Sequence, residues 1–152
     1  MILLVDRRMP SPLDCGKIVI DVGAGARPYG NIQVDLLPEE SDKHHRQASV
    51  LPTVFADAHH LPFRKNIAHR MLYLHIIEHL DHPAGALRDG MRVKRGFGTI
   101  RIEIPNPRLW EHERDEHIYS WHPDTFQNLC KWVGMKIKKY HQGGKNQSIE
   151  AI

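Results

Sequence analysis

The sequence predicts an α/β domain built on a doubly wound, mostly parallel sheet that closes with an antiparallel hairpin. Three observations predict it. Short β-branched runs alternate with stretches of helical periodicity, the pattern of a parallel sheet with crossover helices. Residues 17–22 form a nearly continuous apolar run, as a strand buried on both faces does, and the run ends in Gly23-Ala24-Gly25. Gly143-Gly144 divides two strand-like runs, residues 135–140 and 147–152, as a hairpin turn would.

The elements follow in order. Residues 1–16, with Pro10 and Pro12, read as an opening segment, and the core is expected over about 17–152 in a single domain spanning 1–152. After the first strand, residues 23–28 are a loop and residues 32–36 a second strand. Residues 38–50 are polar and mark a loop or weak helix; residues 53–56 form a third strand closed by Asp57. Residues 71–74 are a fourth strand leading into His75-Ile76-Ile77-Glu78-His79-Leu80. Pro83 sits where a first helical residue would, Ala84, Leu87 and Met91 recur at helical spacing, and Gly96-Phe97-Gly98 is expected to stop that helix. Residues 99–104 form a fifth strand whose alternation points to one thinly covered face. Beyond a loop rich in Glu and His, Pro123 opens a helix with Phe126, Leu129, Cys130 and Val133 on one face and Gly134 placed to end it.

Composition narrows the classes. A chain of 152 residues, 41% hydrophobic and 26% charged, is long enough to bury a core without staples. Its two cysteines, Cys15 and Cys130, make neither a disulfide framework nor a Cys-based zinc motif, so a reducing, cytoplasmic setting is expected. Residues 1–5 are too short an apolar run for a secretion leader, and no run approaches the roughly 20 residues of a membrane span. The net charge of +3 permits an anionic partner without requiring one. Twelve histidines stand out, because imidazole moves protons and binds metals near neutral pH.

The chemistry-bearing pattern is a strand ending in Asp21-Val22-Gly23-Ala24-Gly25, followed by a strand ending in Asp35. Glycines let backbone approach a ligand, and an acid closing the next strand can accept ribose hydroxyls. An ordinary glycine-rich turn beside a solvated carboxylate is the plainer alternative. A dinucleotide fingerprint fails at Pro28, where glycine is needed, and there is no Gly-Lys-Ser/Thr phosphate loop. A nucleoside without a pyrophosphate remains.

The order of motifs resembles the small class I S-adenosylmethionine (SAM)-dependent methyltransferases of the UbiE-like kind, from about Lys17 to Tyr140. Asp21 to Gly25 is similar to that family's glycine-rich motif, and Val34-Asp35-Leu36 to its ribose-binding acid with an apolar residue against adenine. Ala56-Asp57-Ala58 with Leu61-Pro62-Phe63 resembles its adenine-edge motif, and Ile77-Glu78-His79-Leu80 the segment beside the methyl group. Residues 92–100 and Ile104-Pro105-Asn106 resemble the passage through its fifth strand. The resemblance implies a Rossmann-like fold, SAM as cofactor, and cofactor contacts from Asp21, Gly23, Gly25, Asp35, Leu36, Asp57, Ala58 and His75. Three features depart from the family: the first crossover is abbreviated, with no room for a helix between Gly25 and Asp35, the fifth strand alternates where a central parallel strand should be apolar on both faces, and no cap domain is inserted. The substrate site is therefore expected to be open or completed by a second subunit, a homodimer.

Candidate bases, in order, are His79, His117, Glu78 and His75, needed only where the acceptor must lose a proton. A second resemblance, to metal-dependent methyltransferases of small-RNA 3′ ends and of the ubiquinone pathway, implies a divalent ion near Glu78-His79, but position 75 is His where those relatives carry Glu. The reading favoured here is a metal-free site. His44-His45, His59-His60, residues 111–116 and the cations Arg92, Lys94, Arg95, Lys136, Lys138, Lys139 and Lys145 are read as solvated, and Trp132 as core or a subunit contact. The expected activity is methyl transfer to a small molecule or RNA, with no membrane partner; the alternative is an inactive, methyltransferase-like binding module.

Overall fold

A computed structural model describes residues 16–25, 28–36, 53–107 and 117–152. Cys15, His44, His45, Trp110, the opening segment before Gly16, the polar stretch 38–50 and residues 111–116 lie outside them. The strands are β1 (Val19–Val22), β2 (Ile32–Asp35), β3 (Val54–Phe55), β4 (Ala68–Leu74), β5 (Lys94–Pro105), β6 (Ile137–Gly143) and β7 (Asn146–Ala151). Helix α1 (Pro83–Val93) joins β4 to β5, and α2 (Pro123–Trp132) precedes β6. They form one seven-stranded sheet in the order β3-β2-β1-β4-β5-β7-β6. Strands β1 to β5 run parallel, and β7 is antiparallel to both β5 and β6. The predicted α/β class, the mostly parallel sheet and the closing hairpin are all present.

The core lies between the sheet and the two helices. One face of β5 carries Ile100, Ile102 and Ile104, which pack with Met71, Tyr73, Leu87, Phe126 and Ile149, all fully buried. Burying each such side chain contributes about 1.5–3 kcal/mol. Tyr73 is tolerated there because its hydroxyl donates to the Ala86 carbonyl at 3.1 Å and because Gly90 leaves room for its ring. The other face of β5 is polar and internally paired. Arg101 donates to Glu103 at 2.9 Å, Asn146 donates to Glu103 at 2.7 Å, and Arg70 stands 3.5 Å from Glu150. The alternation in the sequence thus marks a network of ion pairs and hydrogen bonds across β4, β5 and β7.

Four expectations need correction. Helix α1 ends at Val93, and Gly96-Phe97-Gly98 lies inside β5 instead of stopping the helix. The glycine at 98 serves strand pairing, since a Cβ there would stand 2.9 Å from the carbonyl oxygens of Ala68 and His69. Accordingly β4 begins at Ala68, three residues before the predicted start. Trp132 is not core: it is 68% exposed, with the Arg88 guanidinium 4.4 Å from its ring centroid. Arg92 and Lys94 are structural cations: Arg92 donates to Asp89 and to the carbonyls of Leu61 and Phe63, and Lys94 donates to the carbonyl of Arg95.

The first crossover is as short as expected. Residues 23–31 connect β1 to β2, and among the described ones none is helical. Gly30 makes the short path feasible, because a Cβ there would meet the Asp21 nitrogen and Val19 oxygen at 2.8 Å. Among the described residues no helix is long and apolar enough to cross a membrane.

Candidate active site

Sheet order reverses at β1, which has β2 on one side and β4 on the other, and in open α/β sheets ligands bind beyond the carboxyl ends of strands at such a point. The turn after β1 starts with Gly23 and Gly25, both in the left-handed region at φ 68° and 54°. Backbone N–H groups of Gly23 and Ala24 donate to the Val34 carbonyl at 2.9 and 3.2 Å, fastening the turn to β2. Gly25 N–H donates to Asp35 Oδ2 at 2.8 Å, and Leu36 N–H donates to Asp35 Oδ1 at 2.8 Å. Each carboxylate oxygen keeps a lone pair for a ligand hydroxyl. Leu36 beside it is 41% exposed, an apolar surface open to a ring.

The two glycines do different work. Among the described residues a Cβ at Gly25 would have only the Gly23 carbonyl near it, at 4.0 Å, which leaves room for a ligand. A Cβ at Gly23 would stand 2.6 Å from the side chain of Ile76. Its bareness serves packing against the segment after β4, a residue the sequence reading did not single out. Asp21 faces inward: its carboxylate accepts from the Tyr29 N–H at 2.7 Å, and burial pushes its pKa up to about 6 against those backbone hydrogen bonds. It supports the turn from beneath.

At the end of β3, Ala58 is buried and Asp57 is 52% exposed on its side chain. Slight burial would raise the Asp57 carboxyl, but the backbone N–H and imidazole of His59 hold it below its usual range. His59 Nδ1 lies 2.6 Å from Asp57 Oδ1. His59 is therefore not the solvated loop residue expected, whereas His60, with its side chain 86% exposed, is.

His75 ends β4 with φ 56°, an unusual conformation for a residue with a Cβ, fixed by its N–H donating to the Glu103 carbonyl at 2.8 Å. Its ring lies between two carboxylates, Nδ1 3.5 Å from Glu78 and Nε2 3.5 Å from Glu103. Burial disfavours the imidazolium, yet Glu103 and Glu78 together raise its pKa to about 9. Glu103 is raised by burial and lowered more strongly by His75 and Arg101, to about 2. The sign follows. The raised imidazole contributes stability in full below pH 6.5 and loses it as pH rises through about 9; the depressed carboxyl contributes above 4.5 and loses it as pH falls through about 2. Thermal melting should show wild-type stability declining between pH 6.5 and 9, and His75→Asn, which keeps a residue tolerant of φ > 0, should flatten that decline.

Glu78 belongs to a short 3₁₀ turn, Ile77–His79. Its backbone carbonyl accepts from the N–H groups of Ile118 at 2.9 Å and Tyr119 at 3.2 Å, and the Tyr119 hydroxyl donates to the Asp81 carbonyl at 3.0 Å. These bonds bring His117 beside His79, the rings 4.8 Å apart edge to face. The side chain of Glu78 is 1% exposed, and neither of its carboxylate oxygens has a hydrogen-bond partner. Among the described residues Glu78, His79 and His117 each bring a possible metal-ligand atom within 4.8 Å of the others, while His75 turns to Glu103. All four sequence candidates thus meet at one rim, and Ile76 joins that rim to the glycine turn.

No family model and no curated protein matches the chain by sequence. Solved structures match it closely in fold. A SAM-dependent methyltransferase from Archaeoglobus fulgidus superimposes with TM-score 0.68 at 17% identity, over 88% of this chain and 84% of that one. Another from Aquifex aeolicus gives TM-score 0.62 at 17% identity, over 90% and 81%. A structure holding the Haloferax volcanii Trm112 methyltransferase activator and its partner gives 0.70 at 12% identity, over 90% and 82%. The chain spans 65% of the length of a related Bacillus halodurans structure, at TM-score 0.65 and 19% identity over 82% of its own length. With its strand order and its reversed last strand, the chain has the fold of the class I SAM-dependent methyltransferases.

Proposed function

We propose that the protein transfers a methyl group from SAM to a small-molecule nucleophile. The observation that carries this reading is the tie between Gly25 N–H and Asp35 Oδ2, which joins the turn after β1 to the acid closing β2 in a sheet of this order. The residues present fit an adenosyl group: Asp35 has acceptor capacity for ribose hydroxyls, Leu36 an exposed apolar face for the ring, and Asp57 an accessible carboxylate for an exocyclic amine. Gly25 leaves room for the amino-acid end. When bound, SAM supplies an already activated methyl group, so the protein's part is chiefly positioning.

Proton removal, where the acceptor needs it, falls to His79, with His117 against its ring. His75 is a poor base, because Glu103 and Glu78 keep it protonated at neutral pH. Its role is to hold the buried Glu78 and the turn that carries His79. The experiment is a screen of candidate acceptors with SAM labelled on the transferred methyl, run with and without a chelator because Glu78, His79 and His117 could hold a cation. Turnover that His79→Ala lowers by about a hundredfold or more supports the base assignment. SAM binding without turnover on any acceptor favours the inactive module, and labelled methyl recovered in RNA would move the acceptor to RNA.

A further inference from the structure

We propose that the amino end of the sheet carries a second binding site, for a nucleotide unit, with its phosphate between Arg95 and His69 and its base stacked on Phe97. This does not rest on the methyltransferase reading. A cavity of about 850 Å³ opens at the starts of β4 and β5, lined among others by Lys17, His69, Arg70, Arg95, Phe97 and Glu150. Seven residues of β4, roughly 20 Å of strand, separate this end from His75. Among the described residues three cations line the cavity, and the one carboxylate there, Glu150, stands 3.5 Å from Arg70. Arg64 and Lys65, both exposed, precede Asn66, whose side chain accepts from the Gly96 N–H at 3.0 Å. The surroundings are basic.

The sharper observation is the imidazole of His69. Its Nδ1 accepts the Ile18 N–H at 3.0 Å, which places the proton of the neutral ring on Nε2. Arg95 Nη1 stands 2.6 Å from that same Nε2. An imidazole cannot accept at both nitrogens, so two donors face each other across the mouth of the cavity. An anionic oxygen set between them would accept from both. The Ile18 N–H cannot give way, because its residue is fixed by His69 and Arg70 N–H groups donating to the Ile18 carbonyl at 2.8 and 3.2 Å. The exposed Arg95 side chain can.

Phe97 makes the site more than an anion hole. It is fully exposed, 104%, and Gly98 beside it is pressed against the β4 carbonyls of Ala68 and His69. The backbone is therefore held down while the phenyl ring stands clear of the protein. An aromatic face next to cations fits a base and its phosphate together.

The test is fluorescence anisotropy of a labelled ten-nucleotide oligouridylate, with uridine monophosphate and inorganic phosphate as competitors. Binding is expected that Arg95→Ala weakens by about tenfold and Phe97→Ala by about fivefold or more. Arg95→Ala should also flatten the salt dependence by about one unit of log–log slope. Both variants should keep the wild-type melting temperature and SAM affinity, so failure here is distinct from failure at the other end of the sheet. Competition by the mononucleotide at comparable concentration identifies a free nucleotide as the source; competition only by unlabelled oligomer identifies single-stranded RNA. Either supports the site. No binding below the millimolar range, or binding that either variant leaves unchanged, overturns it.

Discussion

Asp35→Ala is expected to lower SAM affinity by about a hundredfold or more in isothermal calorimetry, because the two charge-assisted hydrogen bonds proposed between Asp35 and the ribose would be lost together. The structure adds a second loss. Asp35 also accepts the N–H of Gly25, and without it the start of the turn after β1 loses one of its ties to β2, leaving those to the Val34 carbonyl. The fold should remain cooperative, since Asp35 lies at the end of a short strand, away from the buried cluster around Ile102. Circular dichroism melting checks that arm. Unchanged affinity in a folded variant would remove the ribose from Asp35, and with it the proposed orientation of the cofactor.

Gly30→Ala is expected to cost about 3 kcal/mol of stability, the upper range for forcing one extra methyl into a packed site. The added Cβ would stand 2.8 Å from the Asp21 nitrogen and from the Val19 oxygen, and both are strand backbone that cannot step aside. To relieve the contact, the Tyr29-Gly30 turn must lift from β1, which frees the buried Asp21 carboxylate from the N–H groups that satisfy it. For a chain of this size the melting temperature should fall by roughly 6–12 °C. Gly96→Ala serves as the control, because among the described residues nothing lies within 4 Å of a Cβ there, and its effect should stay within about 0.5 kcal/mol. Equal effects at the two positions would mean that the short crossover does not depend on the close approach at Gly30.

Local patterns made the strands, both helices and the hairpin legible, because each is written in neighbouring residues: the run of residues 17–22, the Pro83 and Pro123 starts, the stop at Gly134. Glycines were harder to read. Gly96-Phe97-Gly98 looks like a helix stop, but Gly98 answers to carbonyls of β4, thirty residues away in sequence, and Gly23 answers to Ile76. The candidate site was legible as residue types and illegible as pairings. Nothing local to His75 marks Glu103 as its partner, and nothing near Glu78 shows that its carbonyl would hold Ile118 and bring His117 to His79. Such pairings depend on sheet register, which short-range periodicity does not encode.

The placement of β7 has a consequence for synthesis on the ribosome. It is translated after β6, yet it lies between β6 and β5 and is the strand to which β6 is hydrogen-bonded. Until β7 leaves the exit tunnel, the nascent β6 has no docking place and the open edge of β5 is a template for stray pairing. Strand β6 should therefore join the sheet only after β7 has paired with β5, so that this half of the sheet closes in the reverse of its order in the chain.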